Sequence, residues 1–215
     1  MEPFFVKDCA LITCMGGVEP AMNLRELRER IAVCPAECLY HHFCETVLRP
    51  TFDDPEFRND FALWAARELR DRPLAERLGS INPYKSGDIQ QLRGSVLEII
   101  DDRLNEVSMI PWAPRGSEFR MMRAVSVVFD SGLVFADIED FRNSISQLTT
   151  GSIYYHFVSA RLRTPGHIDD FSAWLAEYGE SAAPLISALA SLDFYYLTLP
   201  ELKRAMMAIP EPSAK

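Results

Sequence analysis

The sequence predicts a predominantly α-helical α+β fold, laid out as two tandem pseudo-symmetric copies that each run from a β-strand into several helices. Three observations carry this expectation. Leu39-Tyr40-His41-His42-Phe43 recurs as Ile153-Tyr154-Tyr155-His156-Phe157, and self-similarity at a fixed spacing marks a repeated structural unit. Phe119, Met121, Val125, Val127 and Phe129 alternate with other residues at period two, as in a half-buried strand. Elsewhere apolar residues recur at helical spacing, as in Leu24, Leu27 and Ile31.

Ala10-Leu11-Ile12-Thr13-Cys14 stands where the first strand is expected, and Gly16-Gly17 after it reads as a turn rather than a phosphate loop. Asn23 can cap the next helix by accepting from its first free N–H groups. Residues 36–48 continue as helix, Phe57, Phe61, Trp64 and Ala65 line another, and Ile89, Leu92, Val96, Ile99 and Ile100 a third. The second copy repeats the plan: its strand, a turn at Asp130-Ser131-Gly132, and a cap at Asp137. Helical stripes follow at Phe141/Ile145/Leu148, residues 152–163, Phe171/Trp174/Leu175/Tyr178 and Leu199/Leu202/Met206/Ile209. Asn59-Asp60-Phe61-Ala62-Leu63-Trp64 matches Asp169-Asp170-Phe171-Ser172-Ala173-Trp174 after a loop that is shorter in the second copy. The expected boundaries are 5–104 for copy 1, 105–118 for a linker, 119–209 for copy 2 and 210–215 for a tail. One strand cannot stand alone, so the two opening strands are expected to pair across a pseudo-twofold axis and join the copies into one globular unit.

Composition narrows the function classes. With 215 residues, 48% hydrophobic and 25% charged, the chain is ordinary globular protein. No apolar run is long enough for a membrane span and Met1-Glu2-Pro3 opens no signal peptide, so the expected location is the cytoplasm with no membrane partner. Basic side chains number 14 against 20 acidic ones in residues 1–118, and 8 against 11 in residues 119–215. Arg25, Arg28, Arg30, Arg67, Arg70 and Arg72 are interleaved with acids and read as solvated helix faces, so no nucleic-acid partner is expected. Five cysteines, all within the first 44 residues, are an odd set without secretory context and read as reduced thiols.

The polar residues shared by both copies are Tyr40/Tyr154, His42/His156, Arg49/Arg163 and Asp60/Asp170, with Trp64/Trp174 as apolar anchors. One reading is structural: Asp accepts from Arg or from a His ring and fixes two helices, while Trp buries its surface beside them. The other lines a polar pocket with a His oriented by Asp, an Arg for an anionic group and a Tyr donor. On that reading His156, Asp170, Arg163 and Tyr154 are the catalytic candidates, and His42, Tyr40, Arg49, Asp60, Trp64 and Trp174 the binding candidates. Cys38 with His41 or His42 has helical spacing for zinc. However, Cys34, Cys38 and Cys44 become Leu148, Ser152 and Val158 in the second copy, which suits buried cysteines better than ligands. No metal and no cofactor are therefore expected.

Ser152-Ile153-Tyr154-Tyr155-His156 followed by Asp169-Asp170-Phe171-Ser172-Ala173-Trp174, with a weaker twin in residues 38–64, resembles the bacterial domain-of-unknown-function family DUF5752. The resemblance extends through Ala21-Met22-Asn23-Leu24-Arg25-Glu26-Leu27 and Leu74-Ala75-Glu76-Arg77-Leu78. It departs in the first copy, where His41 stands for the second Tyr and cysteines for small or apolar residues. It supports the two-copy architecture and implies no activity. The sequence thus points first to a non-catalytic protein binding a small ligand or a protein in a cleft between the copies, with a homo-oligomer as a further option. The alternative is an enzyme using the His/Asp/Arg/Tyr cluster on an anionic small molecule.

Overall fold

The computed structural model describes residues 2–48, 57–164 and 166–210; candidate Arg49 lies outside them. The chain is α+β and mainly helical, with a single two-stranded antiparallel sheet formed by β1 (Phe4–Met15) and β2 (Met122–Phe135) among the described residues. It divides into two compact units, a first of residues 11–125 and a second of residues 1–10 with 126–215. Each strand therefore contributes one end to each unit.

In the first unit the sequence leaves β1, turns through Gly17 and enters α1 (Leu24–Val33), capped as expected by the Asn23 side chain accepting from the Glu26 N–H. Then come α2 (Ala36–Cys44), a 3-10 turn (Glu45–Leu48), α3 (Asp60–Arg67) and α4 (Arg72–Gly79). A second 3-10 turn (Pro83–Lys85) leads to α5 (Ile89–Glu106). α3 packs on α4, while α1, α2 and α4 pack on α5. Leu24, Leu27, Ile31, Phe61, Leu74, Leu78, Val96 and Ile100 are fully buried between them, the faces that helical spacing selects.

The second unit has α6 (Ile138–Ser144), a 3-10 turn (Ile145–Gln147), α7 (Thr150–Ile153), a π-helical segment (Tyr154–Ser159) and α8 (Ala160–Arg163). These are followed by α9 (Asp170–Leu175), a 3-10 segment (Ala176–Ser181), α10 (Ala183–Ala190) and α11 (Leu199–Met207). Phe135, Phe141, Phe157 and Phe171 fill its centre. Two local expectations change. The helix expected at 152–163 has a π interior, a wider turn that shifts every following side chain around the axis. The turn expected at Asp130-Ser131-Gly132 instead lies inside β2. There Ser131 Oγ donates to Val6 O and accepts from the Leu133 N–H, and Gly132 takes φ +76°, so the strand passes through a local kink and continues.

Candidate functional site

In the second unit His156 sits in the π segment and Asp170 in the first turn of α9. His156 Nδ1 lies 2.8 Å from Asp170 Oδ2, and Nε2 accepts from the Lys7 backbone N–H at 2.8 Å. A nitrogen that accepts from an amide carries no proton, so Nδ1 is the protonated one and donates to the carboxylate. Arg163 Nη2 donates to the same Asp170 oxygen at 3.1 Å and to Tyr155 O at 2.8 Å, with its guanidinium 4.1 Å above the Tyr155 ring. Phe4 packs on the rings of His156, Phe171 and Trp174, and Trp174 Nε1 donates to Glu2 O at 3.1 Å.

The first unit holds a similar His–Asp–strand arrangement. His42 Nδ1 lies 2.6 Å from Asp60 Oδ2 and Nε2 accepts from the Met122 N–H at 2.9 Å. Phe119 packs on His42, Phe61 and Trp64, and Trp64 Nε1 donates to Ser117 O at 2.7 Å. In both units the imidazole accepts from a strand N–H that points away from the neighbouring strand, covering an edge that would otherwise be open. Each imidazole thus has both ring nitrogens engaged, one by a carboxylate and one by a strand N–H.

The structure thus brings His156, Asp170 and Arg163 together, and His42 with Asp60. Tyr154 is buried, Tyr40 is half-buried, and Trp64 and Trp174 are nearly buried within their units. Cys38 Sγ points to Gly16 O and His41 Nδ1 to Glu45 Oε2, 2.6 Å away. Among the described residues no group of three or more His, Cys, Asp or Glu side chains is placed to hold a metal. Burial pushes the Cys38 thiol up to about 11 and Cys44 further still.

The second unit also holds a cavity of about 350 Å³ bordered by Asp8, Phe129 to Leu133, Gln147 to Thr149, and Ser152. Thr149 caps α7, its Oγ1 accepting from the Ser152 N–H and donating to Ser152 Oγ. Asp8 Oδ1 accepts from the Cys9 N–H. Asp130 is held below the usual carboxylate range, first by the Gly132 N–H and then by Lys7. No single sequence signal marks this cavity, because its rim is drawn from both strands and a helix start. Beneath α9, Asp169 pairs with Arg161 at 2.8 Å; burial pushes the Asp169 carboxyl up and the Arg161 guanidinium down.

The fold and these contacts define a class: an α+β protein in which a buried His in each unit, paired with a partly exposed Asp, hydrogen-bonds a strand to its helices. The chain belongs to the family of unknown function DUF5752, which it matches over residues 1–211. It is similar to a solved structure, OrfY from Thermoproteus tenax, with 27% identity and a TM-score of 0.78 over 97% of this chain and 95% of that one. No curated protein matches it. No helix among the described residues is long and apolar enough to cross a membrane.

Proposed function

We propose that this chain is a non-catalytic binding protein whose ligand, a small polar molecule that is neutral or cationic, occupies the cavity of the second unit. The observation that carries the reading is the full engagement of both nitrogens of His156, which leaves the His/Asp/Arg cluster as a fastening and the cavity as the place for a ligand. The hydroxyls of Ser131, Thr149 and Ser152, the Gln147 amide and the Asp8 carboxylate offer hydrogen bonds and negative charge. An anion would meet Asp8 and Asp130 there.

The reading includes a duplicated architecture with exchanged strands. Glu2, Phe4, Lys7 and Gly17 stand 115 positions before Ser117, Phe119, Met122 and Gly132, and each pair makes the same contact or takes the same positive φ. On this view each copy's strand serves the histidine of the other copy. Five free thiols and an acidic balance support a cytoplasmic protein without a nucleic-acid partner.

The test is thermal unfolding against a panel of amines, amino acids and polyols. A ligand at 100 times its Kd adds about 2.7 kcal/mol, and Gln147→Trp, which fills the cavity mouth, should abolish that gain. A panel with no stabilising member, or a gain that survives Gln147→Trp, rejects the reading.

A further inference from the structure

We propose that the outer edge of β2 pairs antiparallel with the same edge of a second copy of this chain, centred on Val128. Both strands of the ribbon have an outer edge, and within the second unit the two are treated differently. On β1 the Lys7 N–H is taken by His156 and the Cys9 N–H by the Asp8 carboxylate. On β2 the Met122 N–H is taken by His42, and no third strand follows among the described residues.

The direction of the edge groups follows from three contacts. Met122 N–H points away from β1, while Met121 O accepts from the Gly16 N–H on the β1 side. Lys7 and Asp130 form an ion pair at 3.5 Å, which fits the same antiparallel register with these two residues opposite each other. Because the Lys7 N–H faces outward, so does that of Asp130. Every second residue between Met122 and Asp130 therefore turns its N–H and C=O outward, among them Ser126 and Val128.

The side chains on this stretch are also unusual. Val127, Val128 and Phe129 are consecutive and 42%, 41% and 48% exposed, and residues 124–129 contain no charge and no proline. Natural edges are normally blunted by such residues, and an exposed apolar run of this kind marks a contact surface.

Self-pairing satisfies the outward groups of Ser126, Val128 and Asp130. A twofold axis through an antiparallel pair sets one residue opposite itself, here Val128. Val127 then lies opposite the other copy's Phe129, an aromatic–β-branched pair of the kind that stabilises sheets. Ser126 lies opposite the other copy's Asp130, hydroxyl to carboxylate, and no like charges meet. In a chain of net charge −9, the uncharged stretch 124–129 lets two copies approach with little repulsion. The pairing is short compared with a standard interface of ~800 Å² per partner, so the dimer forms in the micromolar range.

Sedimentation equilibrium of the full chain tests this. The mass should rise with micromolar concentration from 24.4 kDa towards twice that value. Val128→Pro removes an outward N–H, a position where an edge strand tolerates proline, and Val128→Lys sets two cations face to face. Both should sediment as monomers. In wild type, exchange of the Ser126 and Val128 amides should slow with rising concentration, while the inward Val127 amide stays unchanged. A chain that remains monomeric, a dimer insensitive to Val128→Lys, or concentration-independent exchange at Ser126 and Val128 overturns the proposal. None of these readouts uses the cavity ligand, so failure here leaves the binding reading standing, and the reverse.

Discussion

Replacing His156 by Phe separates the two things the imidazole does, because the ring and its packing on Phe4 and Phe171 remain while both hydrogen bonds go. The Lys7 N–H loses its acceptor beside a nearly buried side chain, which costs about 1–3 kcal/mol. The donated bond to a carboxylate is lost as well. Since the Asp170 side chain is 22% exposed and keeps Arg163, that loss belongs near the low end of the ~1.5–3 kcal/mol for bonds to charged groups. Together the substitution should destabilise the chain by about 2.5–4.5 kcal/mol. Asp170→Asn should cost only about 1 kcal/mol, because the amide oxygen still accepts from Nδ1–H and holds the same tautomer. Urea unfolding gives the free energies, and exchange of the Lys7 amide gives the local effect, which should accelerate in His156→Phe and much less in Asp170→Asn. A His156→Phe chain within about 0.5 kcal/mol of wild type, with an unchanged Lys7 amide, would refute the fastening role and return the imidazole to the list of groups free for chemistry.

Other substitutions probe neighbouring claims. Gly151→Ala should destabilise by about 1–3 kcal/mol, since an added Cβ would meet Asp8 Oδ1 and lie 2.5 Å from the Cys9 carbonyl oxygen. In contrast, Gly94→Ala, with open space around it in α5, should stabilise by about 0.5–1 kcal/mol, and thermal unfolding compares the two. Asp169→Asn alone should destabilise by leaving the Arg161 charge buried without a counter-charge, whereas Asp169→Asn with Arg161→Val, the residue types that the repeat alignment places opposite them at Asn59 and Val47, should recover much of the loss. Burial raises the folded Asp169 carboxyl above its unfolded value, so its contribution is greatest at acid pH and falls as pH rises through the folded value. The stability gap between wild type and the double variant should therefore shift in favour of the double variant from pH 3 to pH 7. Finally, a thiol reagent should modify half-buried Cys14 well before Cys9, Cys34, Cys38 and Cys44, all buried, and a faster reaction at Cys38 or Cys44 would contradict the raised thiols.

The helical part of this fold was legible because its evidence is local. Leu24, Leu27 and Ile31, or Phe171 and Trp174, lie on one face at a spacing visible in a few residues, and Asn23, Asn59 and Asp137 announce the starts they cap. The approach of His156, Arg163 and Asp170 was legible for the same reason: two adjacent helices carry all three. The acceptor role of the imidazole was not, since its partner is a backbone N–H 149 positions away in β1 and a backbone group leaves no mark on residue identity. The π segment was equally hidden, because the spacing from Tyr154 to Arg163 equals that from Tyr40 to Arg49 in the sequence and spacing alone does not report winding.

That hidden bond is also what separates the two readings of the cluster. A His–Asp pair with a free Nε2 is the beginning of general-base chemistry; the same pair with Nε2 closed by an amide is a strand fastener. Lys7 and Met122 supply that amide through their backbone alone, so substituting their side chains would leave the imidazoles as they are. Breaking the fastening without touching the histidine requires removing the N–H itself. Lys7→Pro should therefore reproduce most of the His156→Phe cost at Lys7, and because the lost N–H faces away from β2, the β1–β2 ladder should survive it. Urea unfolding checks the first expectation and exchange of the inward β2 amides the second. A Lys7→Pro chain as stable as wild type would mean that the imidazole does not depend on the strand, and Nε2 would again be open to a substrate.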